Sequence, residues 1–384
     1  MNPWIVSKFG GSSVKDGSAM LRCSQIIEAN PDIRVIVISA TQNTTNQLEY
    51  VAQAALRGDT ETLNKVIQEI IDKHMNIAKE IFTSSTIIAE LEVLFSELKV
   101  IGNMILKDCS YTPKIMDQLY SLGERMSSLL FSDLLRLRMT SKTVQLLDAR
   151  KIIITDSHFQ KAEPQIELIA KRSLTEIIPL LQNENTIFVT QGFIGEDLQG
   201  NTTTLGREGS DYSAALLGEA INASAVQIWT DVQGIASSDP RIIKDVKYLP
   251  RISYDEATAL ATLGAKVLFP TTLLPAQRKS ISVYVGSSLN PDLPMTIVEN
   301  KMQEGFSLKA VTIQREGENL ILSFVGSHLD SYPHLSEQLL SKLNIDKQHF
   351  SFHQMTTVSI SLKVIDLDAQ DALKLGHEAL KSFQ

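Results

Sequence analysis

The chain has 384 residues, with 36 Lys and Arg against 44 Asp and Glu, and a formal net charge of −8. This length predicts about two or three domains, and the negative balance argues against a nonspecific nucleic-acid binder, which needs a basic surface. The sequence has two widely separated cysteines without metal-ligand spacing, no visible secretory signal and no apolar run of about 18 residues, so we expect a cytoplasmic protein with reduced thiols and no membrane partner.

The chain begins with a predicted strand, a glycine turn and a helix. Ile5 to Phe9 is an apolar run that breaks at Gly10 and Gly11, and residues 18–29 show helical periodicity. Val35 to Ile38 is a continuous β-branched run. Such a run is typical of a strand that is buried on both faces of a parallel sheet.

A long helical segment follows. From Gln47 to about Met139 the pattern is helical almost throughout, and Pro113 suits the first turn of a helix. Strand-like runs then return at residues 144–147, 152–155, 187–190, 226–230 and 281–285. Because helices separate most of these runs, the sequence predicts an α/β fold with a mostly parallel sheet that is covered on both faces.

Polar residues and glycines follow the apolar part of four predicted strands. They are Lys8 with Gly10 and Gly11, Ser39, Gln191 with Gly192, and Thr230 with Asp231. In open α/β sheets, ligands bind outside the carboxyl ends of the strands. These four strand ends therefore predict one shared site.

The composition changes after Pro291 and Pro294, and we predict a domain boundary near residue 300. Residues 1–300 would form the larger domain and residues 301–384 a small second domain. Its predicted pattern is strand, strand, helix, strand, strand, helix, at residues 310–314, 320–325, 335–343, 350–353, 358–364 and 369–383. Polar and apolar residues alternate in the fourth strand, which is typical of a sheet with one solvated face.

Residues 201–213, Asn-Thr-Thr-Thr-Leu-Gly-Arg-Glu-Gly-Ser-Asp-Tyr-Ser, are predicted to be a loop that leads into a helix. The unpaired N–H groups and the positive dipole end of a helix N-terminus attract anions. Arg207 adds a planar cation that suits carboxylate or phosphate. Asp211, in the first helical turn, either caps the helix or organises a lysine and a metal. The alternative is an ordinary capped helix.

Several motifs of other enzyme classes are missing from the sequence. It has no P-loop, no protein-kinase Asp-Phe-Gly or His-Arg-Asp string, no Gly-x-Ser-x-Gly elbow, no zinc-ligand cluster and no dinucleotide fingerprint. What remains is an unusual set of cations and glycine amides, namely Lys8, Gly10, Gly11, Arg207, Arg241 and Lys266. Phosphoryl transfer relies on such groups, because positioning and charge stabilisation supply most of its catalysis. Asp211 and Asp231 are candidates to hold the lysines and the metal.

Six segments closely resemble the aspartate kinases, which are members of the amino-acid kinase superfamily. They are Lys8-Phe9-Gly10-Gly11-Ser12-Ser13-Val14, Ser39-Ala40 with Thr45-Asn46, Leu122-Gly123-Glu124, residues 202–212, Trp229-Thr230-Asp231-Val232 continuing to Asp239-Pro240-Arg241, and Gly264-Ala265-Lys266-Val267-Leu268. The resemblance spans roughly residues 4 to 300 in the same order. Residues 301–384 resemble an ACT regulatory domain.

The resemblance implies a three-layer α/β/α fold with a mostly parallel open sheet, followed by a small α+β ACT-like domain. It implies transfer of the γ-phosphoryl group of ATP, with Mg²⁺, to the β-carboxylate of L-aspartate. The product is 4-phospho-L-aspartate, the entry to lysine, threonine and methionine synthesis. A homodimer or larger homo-oligomer is expected. A carboxylate with a reference pKa near ~3.9 is already ionised at pH 7, so the nucleophile needs no general base.

The resemblance also assigns roles to individual residues. Lys8, Arg207 and Asp211 would be catalytic, with Asp211 orienting Lys8. L-Aspartate would be bound by Ser39, Thr45, Glu124, Arg207 and Ser210, with Glu124 facing the ammonium group and Arg207 the α-carboxylate. ATP would be bound by Lys8, Gly10, Gly11, Thr230, Asp231, Arg241 and Lys266. No side chain is assigned as a metal ligand. Outside this context, Glu124 would be read as an exposed helix charge and Arg241 as a solvated turn residue.

Three departures from the family pattern change what we expect. Glu208 stands where many relatives have glycine, and we expect its carboxylate to face away from the anion site. Ala236 stands where an aromatic residue often borders the adenine, so base stacking there would be lost. Residues 301–384 have room for about one ACT unit, whereas relatives with feedback usually carry two, so the effector amino acid is left open.

Two other functions compete with this interpretation. The first is a different amino-acid kinase, acting on glutamate, N-acetylglutamate or UMP, and the ACT-like tail and the context of Glu124 argue against it. The second is an amino-acid sensing or assembly subunit that has lost turnover. The presence of Lys8, Arg207 and Asp211 argues against that function.

Overall fold

The computed structural model describes residues 3–265, 270–343 and 349–383, and the chain divides into two compact units. Unit 1 comprises Met1–Val232 and Gly286–Leu293, and unit 2 comprises Gln233–Val285 and Pro294–Gln384. The predicted boundary near residue 300 lies inside unit 2. The division into domains at residues 1–300 and 301–384 therefore stays a prediction.

Strands and helices alternate along much of the chain. The strands are β1 (Ile5–Phe9), β2 (Ile33–Ile38), β3 (Thr143–Leu147), β4 (Ile154–Thr155), β5 (Thr186–Gln191), β6 (Ile194–Asp197), β7 (Thr202–Thr204), β8 (Ala225–Thr230), β9 (Arg251–Ser253), β10 (Ser282–Ser287), β11 (Thr296–Glu299), β12 (Ser307–Glu316), β13 (Asn319–Ser327), β14 (Phe350–Met355) and β15 (Ser359–Val364). The helices are α1 (Gly17–Glu28), α2 (Thr44–Leu56), α3 (Thr60–Glu80), α4 (Ser85–Asp108), α5 (Pro113–Arg138), α6 (Ile166–Glu176), α7 (Ile178–Leu181), α8 (Gly209–Ile221), α9 (Tyr254–Thr262), α10 (Pro270–Arg278), α11 (Leu335–Leu343) and α12 (Ala369–Lys381).

The central strands of unit 1 form a parallel sheet in the order β3-β5-β2-β1-β8. All six residues of β2 and all six of β5 are buried. Burial of each Val or Ile side chain contributes about 1.5–3 kcal/mol to stability. Helix α5 packs on β2, β3 and β5, whereas α8 packs on β1, β2 and β8 and is covered by α6. The prediction of a three-layer α/β/α fold with a mostly parallel sheet is confirmed.

The long helical segment consists of α2, α3, α4 and α5, as the periodicity predicts. Pro113 is the first residue of α5, where its missing N–H costs no helical hydrogen bond. The hydroxyl of Thr112 caps this helix by accepting from the Ile115 N–H at 3.3 Å. The start of α5 is thus fixed by local sequence.

One part of residues 201–213 differs from the prediction. The sequence predicts a loop before the helix, but Thr202–Thr204 form strand β7, which pairs antiparallel with β6 in a small sheet of order β4-β6-β7. All three threonines are buried, and β-branched side chains favour strands in such a setting. The loop that leads into α8 therefore shrinks to residues 205–208.

In unit 2, the C-terminal strands form an antiparallel sheet of order β12-β13-β15-β14. Helices α11 and α12 bury apolar residues of a shared core with this sheet, which includes Leu322, Phe324, Leu339, Leu362 and Leu373. The predicted order of strands and helices is present, and α11 has the predicted bounds. The ACT-like identity of this sheet stays a prediction. Among the described residues, no helix is long and apolar enough to cross a membrane.

Candidate active site

A cavity of about 700 Å³ opens in unit 1 where β1 and β2 end and α8 begins. It is lined by seven of the residues predicted to bind substrates: Lys8, Gly11, Ser39, Thr45, Glu124, Arg207 and Ser210. These residues come from positions far apart in the chain and belong to several structural elements. The ends of β1 and β2 therefore meet at one cavity, and the sharing of one ligand site by four strand ends stays a prediction.

Lys8, near the end of β1, forms an ion pair with Asp211 in the first turn of α8. The Lys8 Nζ lies 2.5 Å from Asp211 Oδ1, and the two side chains are 9% and 8% exposed. A buried ion pair of this kind loses hydration and holds its geometry tightly. Because Lys8 also lines the cavity, Asp211 fixes the position of a lysine at the cavity wall.

The N-terminus of α8 lies directly against the end of β5. A Cβ on Gly192 would fall 2.5 Å from the Cβ of Ser210, so only glycine permits this approach. The hydroxyl of Ser213 accepts from the Phe193 N–H at 2.9 Å and reinforces the same contact. This packing places Ser210 and the dipole of α8 at the cavity.

The two glycines after β1 have different environments. A Cβ on Gly11 would lie 2.8 Å from the Ala40 carbonyl oxygen, so this glycine allows the two strand ends to approach. The Gly10 N–H donates to the Trp229 carbonyl at 3.1 Å. That amide is therefore committed to the sheet, and the predicted phosphate cradle is left with Gly11.

Glu124 is a buried carboxylate at the cavity wall, not an exposed helix charge. Its Oε1 accepts from the Ala40 N–H at 3.1 Å, while its buried Oε2 has no hydrogen-bond partner. Burial raises the pKa of Glu124 to about 8, and the Ala40 hydrogen bond and the Lys8 charge oppose this shift. A buried acceptor without a partner is costly, so this oxygen would favour a cationic ligand in the cavity.

The loop after β2 supplies Ser39 and Thr45. The Ser39 carbonyl accepts from the Ser127 hydroxyl at 2.7 Å, and Thr45 lies in the first turn of α2. A Cβ on Gly123 would lie 2.8 Å from the Ala40 Cβ, so α5 packs closely against this loop. The Leu-Gly-Glu motif thus places Glu124 against the backbone that carries Ser39.

Arg207 and Glu208 are exposed at the mouth of the cavity. Arg207 takes part in no ion pair found among the described residues, which leaves its guanidinium to a ligand. The expectation that Glu208 faces away was wrong, because it lines the cavity. Desolvation and the charge of Asp211 raise the pKa of Glu208, and Lys8 and Arg207 oppose that shift. Glu208 also has a φ of 55°, where glycine is preferred.

Of the residues predicted to bind ATP, Lys8 and Gly11 line this cavity, whereas Thr230 and Asp231 do not. Thr230 and Asp231 lie in unit 1, where the Thr230 hydroxyl donates to Asp231 at 3.1 Å, and neither lines the cavity. Arg241 lies in unit 2 and is paired with Asp239 at 2.5 Å, which raises the pKa of Arg241. The role of Arg241 in nucleotide binding stays a prediction. Lys266 lies outside the described residues.

Comparison with known proteins gives the family. A family model described as "Amino acid kinase family" matches residues 3–287. Lysine-sensitive aspartokinase 3 of Escherichia coli (strain K12) is 38% identical over 382 residues, covering 99% of this chain and 82% of that protein. The chain belongs to the aspartokinases of the amino acid kinase family.

Other aspartokinases support this assignment. The aspartokinase of Chlamydia muridarum is 33% identical over 327 residues, covering 84% of this chain and 70% of that protein. The crystal structure of E. coli aspartokinase III with aspartate and ADP, in the R-state, matches with a TM-score of 0.87 and 29% identity, covering 98% of this chain and all of that one. The same enzyme with lysine and aspartate, in the T-state, matches with a TM-score of 0.75 and 36% identity, covering 99% and 84%.

Two aromatic residues of this aspartokinase line the cavity without having been predicted from its sequence. Tyr120 and Phe193 contact each other edge to face, with ring centroids 6.4 Å apart. Tyr120 precedes Glu124 by one helical turn, so the helical period of α5 would have placed both on one face. Phe193 has a φ of 68°, which is rare for an aromatic residue, and only the structure reveals it.

Proposed function

We propose that this chain is an aspartate kinase, which transfers the γ-phosphoryl group of Mg·ATP to the β-carboxylate of L-aspartate. The product is 4-phospho-L-aspartate, the first intermediate of lysine, threonine and methionine synthesis. The observation that carries the proposal is the buried, unpartnered Oε2 of Glu124 in a cavity that also presents Lys8 and Arg207. An amino acid with two carboxylates and one ammonium group complements one anion and two cations.

Each charged group of the substrate has a partner of opposite charge in this arrangement. Glu124 receives the ammonium group, and its carboxylate is stabilised when that cation arrives. Arg207 binds the α-carboxylate through two parallel hydrogen bonds, which its planar guanidinium permits. Ser39, Thr45 and Ser210 supply hydroxyl groups around the same cavity. The β-carboxylate then faces Lys8.

The chemical obstacle is repulsion between the attacking carboxylate and the phosphates. The β-carboxylate is already ionised at pH 7, so no proton has to be removed before attack. Lys8 lies where negative charge accumulates during transfer, and preorganised cations of this kind supply much of the rate enhancement. Asp211 keeps the Lys8 ammonium in place. The N-terminus of α8 and the amide of Gly11 add partial positive charge.

ATP brings Mg²⁺ with it, and the metal would neutralise phosphate charge when bound. Mg²⁺ in such sites is held mainly by phosphates, waters and one or two carboxylates. Asp211 and Asp231 are the carboxylates that the sequence offers for this purpose. Among the described residues, no three His, Cys, Asp or Glu side chains form a metal cluster. Thr230, Arg241 and Lys266 remain the predicted contacts of the nucleotide, with base stacking at Ala236 lost.

Regulation and assembly belong to the same proposal. We expect a homodimer or larger homo-oligomer, residues 301–384 acting as an ACT-like domain, and a cytoplasmic location. The related E. coli enzyme is named lysine-sensitive and has been crystallised with lysine. Calorimetry with lysine, threonine and methionine would identify the effector of this chain.

Trapping of the acyl phosphate tests the activity directly. The purified protein is incubated with Mg·ATP, hydroxylamine and either L-aspartate or L-glutamate, and the hydroxamate is measured. We expect aspartyl hydroxamate in an amount proportional to enzyme, little glutamyl hydroxamate, and aspartyl hydroxamate formed about 10³-fold more slowly by Lys8→Met. Absence of aspartyl hydroxamate at high enzyme concentration would overturn the proposal, and a preference for glutamate would change the substrate.

A further inference from the structure

Asp117 is a buried carboxylate that none of the functional predictions includes. It lies in the second turn of α5, and its side chain is fully buried. Both of its oxygens accept from the Gln160 N–H, at 3.1 and 2.9 Å. They also accept from the Thr204 N–H at 3.0 Å and from the Thr204 hydroxyl at 2.7 Å. One carboxylate thus joins three separate segments of the chain.

Most of the hydrogen bonds that Asp117 accepts come from backbone N–H groups in a loop and at the end of a strand. Gln160 has a φ of 68°, and its N–H has no helix or ladder position to satisfy it. Thr204 is the last residue of β7, so its N–H stands at the point where the strand stops. Burial raises the pKa of Asp117, and the hydrogen bonds from Gln160 and Thr204 oppose the shift. Burial of a carboxylate destabilises the folded protein unless hydrogen bonds such as these replace its lost hydration.

The two segments that Asp117 holds both form the wall of the active-site cavity. Gln160 and Thr204 line the cavity, as do Gly206 and Arg207. Arg207 follows Thr204 by three residues. A Cβ on Gly206 would lie 3.3 Å from the Gln160 carbonyl oxygen, so the turn that presents Arg207 rests on the residue that Asp117 fixes.

Asp117 and Glu124, the proposed partner of the substrate ammonium group, lie on the same helix, α5. Glu124 lies seven residues further along this helix, which is two turns, or roughly 10.5 Å of helix axis, and returns to nearly the same face. The two carboxylates are both buried. α5 therefore carries the partner of the substrate ammonium at one point and the anchor of the Arg207 segment at another.

From this geometry we propose that Asp117 is a positioning residue that fixes Arg207 relative to Glu124, and so sets the spacing between the two groups that hold the amino-acid substrate. The inference rests on the proposed function, because it takes Arg207 and Glu124 as the contacts of aspartate. Asp117 itself touches no substrate. It acts by holding Gln160 and Thr204.

The test compares Asp117→Asn with Asp133→Asn. Asp133 is a second buried carboxylate on α5, and it accepts from the Ser84 N–H at 2.8 Å and the Ser84 hydroxyl at 3.3 Å, without lining the cavity. In Asp117→Asn, the amide nitrogen replaces one acceptor oxygen and can accept neither from the Gln160 N–H nor from its Thr204 donor, so both segments are held less firmly. We expect the KM for aspartate to rise about tenfold, with kcat and the KM for ATP within twofold of the wild type. Asp133→Asn should lower the unfolding midpoint and leave all three constants unchanged.

A double-mutant cycle with Arg207→Lys separates positioning from general loosening. If Asp117 acts through Arg207, the effect of Asp117→Asn on the aspartate KM should be largely lost in the Arg207→Lys background. Additive effects would overturn the inference, as would an equal rise of the aspartate and ATP KM values. Equal kinetic effects of Asp117→Asn and Asp133→Asn would likewise show a structural role only.

Amide hydrogen exchange gives a measurement that does not depend on activity. In Asp117→Asn, peptides covering residues 157–162 and 203–209 should exchange faster, whereas those from α2 should not change. Unchanged exchange at residues 203–209 would overturn the inference that Asp117 holds this segment, even if the variant is active. A wild-type protein that forms no aspartyl hydroxamate would overturn the proposed function, and with it the role for aspartate. Even then, faster exchange of these peptides in Asp117→Asn would show that Asp117 holds Gln160 and Thr204 in place.

Discussion

Two buried lysine–carboxylate pairs, one in each unit, have similar chemistry but different settings. Lys8 and Asp211 pair in unit 1 at the wall of a cavity. Lys309 and Glu256 pair in unit 2, with Nζ 2.8 and 2.9 Å from the two carboxylate oxygens, and Glu256 also accepts from the Ser253 N–H at 2.7 Å. Burial of an ion pair is thus no sign of function by itself. The Lys8–Asp211 pair differs from the Lys309–Glu256 pair because Lys8 lies near the end of a strand and lines a cavity.

Replacement of each lysine by methionine is the strongest test of this difference. Lys8→Met should lower kcat by about 10³-fold, since it removes a preorganised charge from the transferring group. Lys309→Met should keep kcat and lower the free energy of unfolding by about 3–5 kcal/mol, because it leaves the Glu256 charge buried without a partner. Hydroxamate formation and urea unfolding measure the two effects.

The double variant Lys309→Met/Glu256→Gln serves as the control. It removes both charges and keeps an acceptor for the Ser253 N–H, so much of the lost stability should return. Wild-type kcat in Lys8→Met, or a large loss of kcat in a folded Lys309→Met protein, would contradict the distinction between the two pairs.

The next largest effect concerns two exposed arginines, one in each unit. Arg207→Lys should raise the KM for aspartate between about 10- and 100-fold, because one point charge replaces two charged hydrogen bonds. Arg241, which is paired with Asp239, should respond differently. We expect Arg241→Lys to change the KM for ATP and leave that for aspartate unchanged. Initial rates at varied aspartate and ATP decide between them, and a change of only the ATP constant in Arg207→Lys would refute its role.

The ionisation of Glu124 should make the binding of aspartate in unit 1 depend on pH. Because burial raises the pKa of Glu124 to about 8, its carboxyl group is mostly protonated below that pH in the empty protein. The ammonium group of aspartate requires the ionised form. The KM for aspartate should therefore fall by about 25-fold from pH 6.5 to 8.5, as the ionised fraction of Glu124 rises from roughly 0.03 to 0.76. Glu124→Gln should bind aspartate weakly with a flat profile, and a flat profile in the wild type would argue against Glu124 as the ammonium partner.

The smallest expected effect is that of Glu208→Gly. Glycine suits the φ of 55° at this position and should stabilise the folded protein by about 0.5–1 kcal/mol. Loss of a carboxylate beside Lys8 and Arg207 should also lower the KM for aspartate, by roughly twofold as for a weak, solvent-screened charge contact. Thermal unfolding and initial rates measure both changes. Glu208→Ala, which lacks the conformational benefit, should show the kinetic change alone.

The parts of the fold that depend on local pattern were predictable. The β-branched run of β2 and the helical period of α11 each indicate their element without reference to the rest of the chain. β7 was missed, because the three threonines after Asn201 are typical of a loop until β6 is there to pair with them. Short strands of this kind depend on partners, not on their own sequence.

The residues of the candidate site that belong to sequence motifs were predictable. The proximity of Lys8 and Asp211 follows from a strand end and a helix start. The role of Asp117 does not, since its partners lie 43 and 87 residues away and contribute mostly backbone groups that carry no sequence signature. The orientation of Glu208 depends on a left-handed backbone conformation, which the sequence Arg-Glu-Gly does not disclose.

The unpartnered oxygen of Glu124 also has a thermodynamic consequence for the binding step. At pH 7 the empty cavity holds a neutral carboxylic acid, and aspartate arrives with an ammonium group that favours the carboxylate. If Glu124 binds the ammonium group as proposed, we expect substrate binding to release up to one proton into the solution. The heat measured on titration with aspartate then includes the heat of protonation of the buffer, and phosphate and Tris should give different apparent enthalpies for the same association.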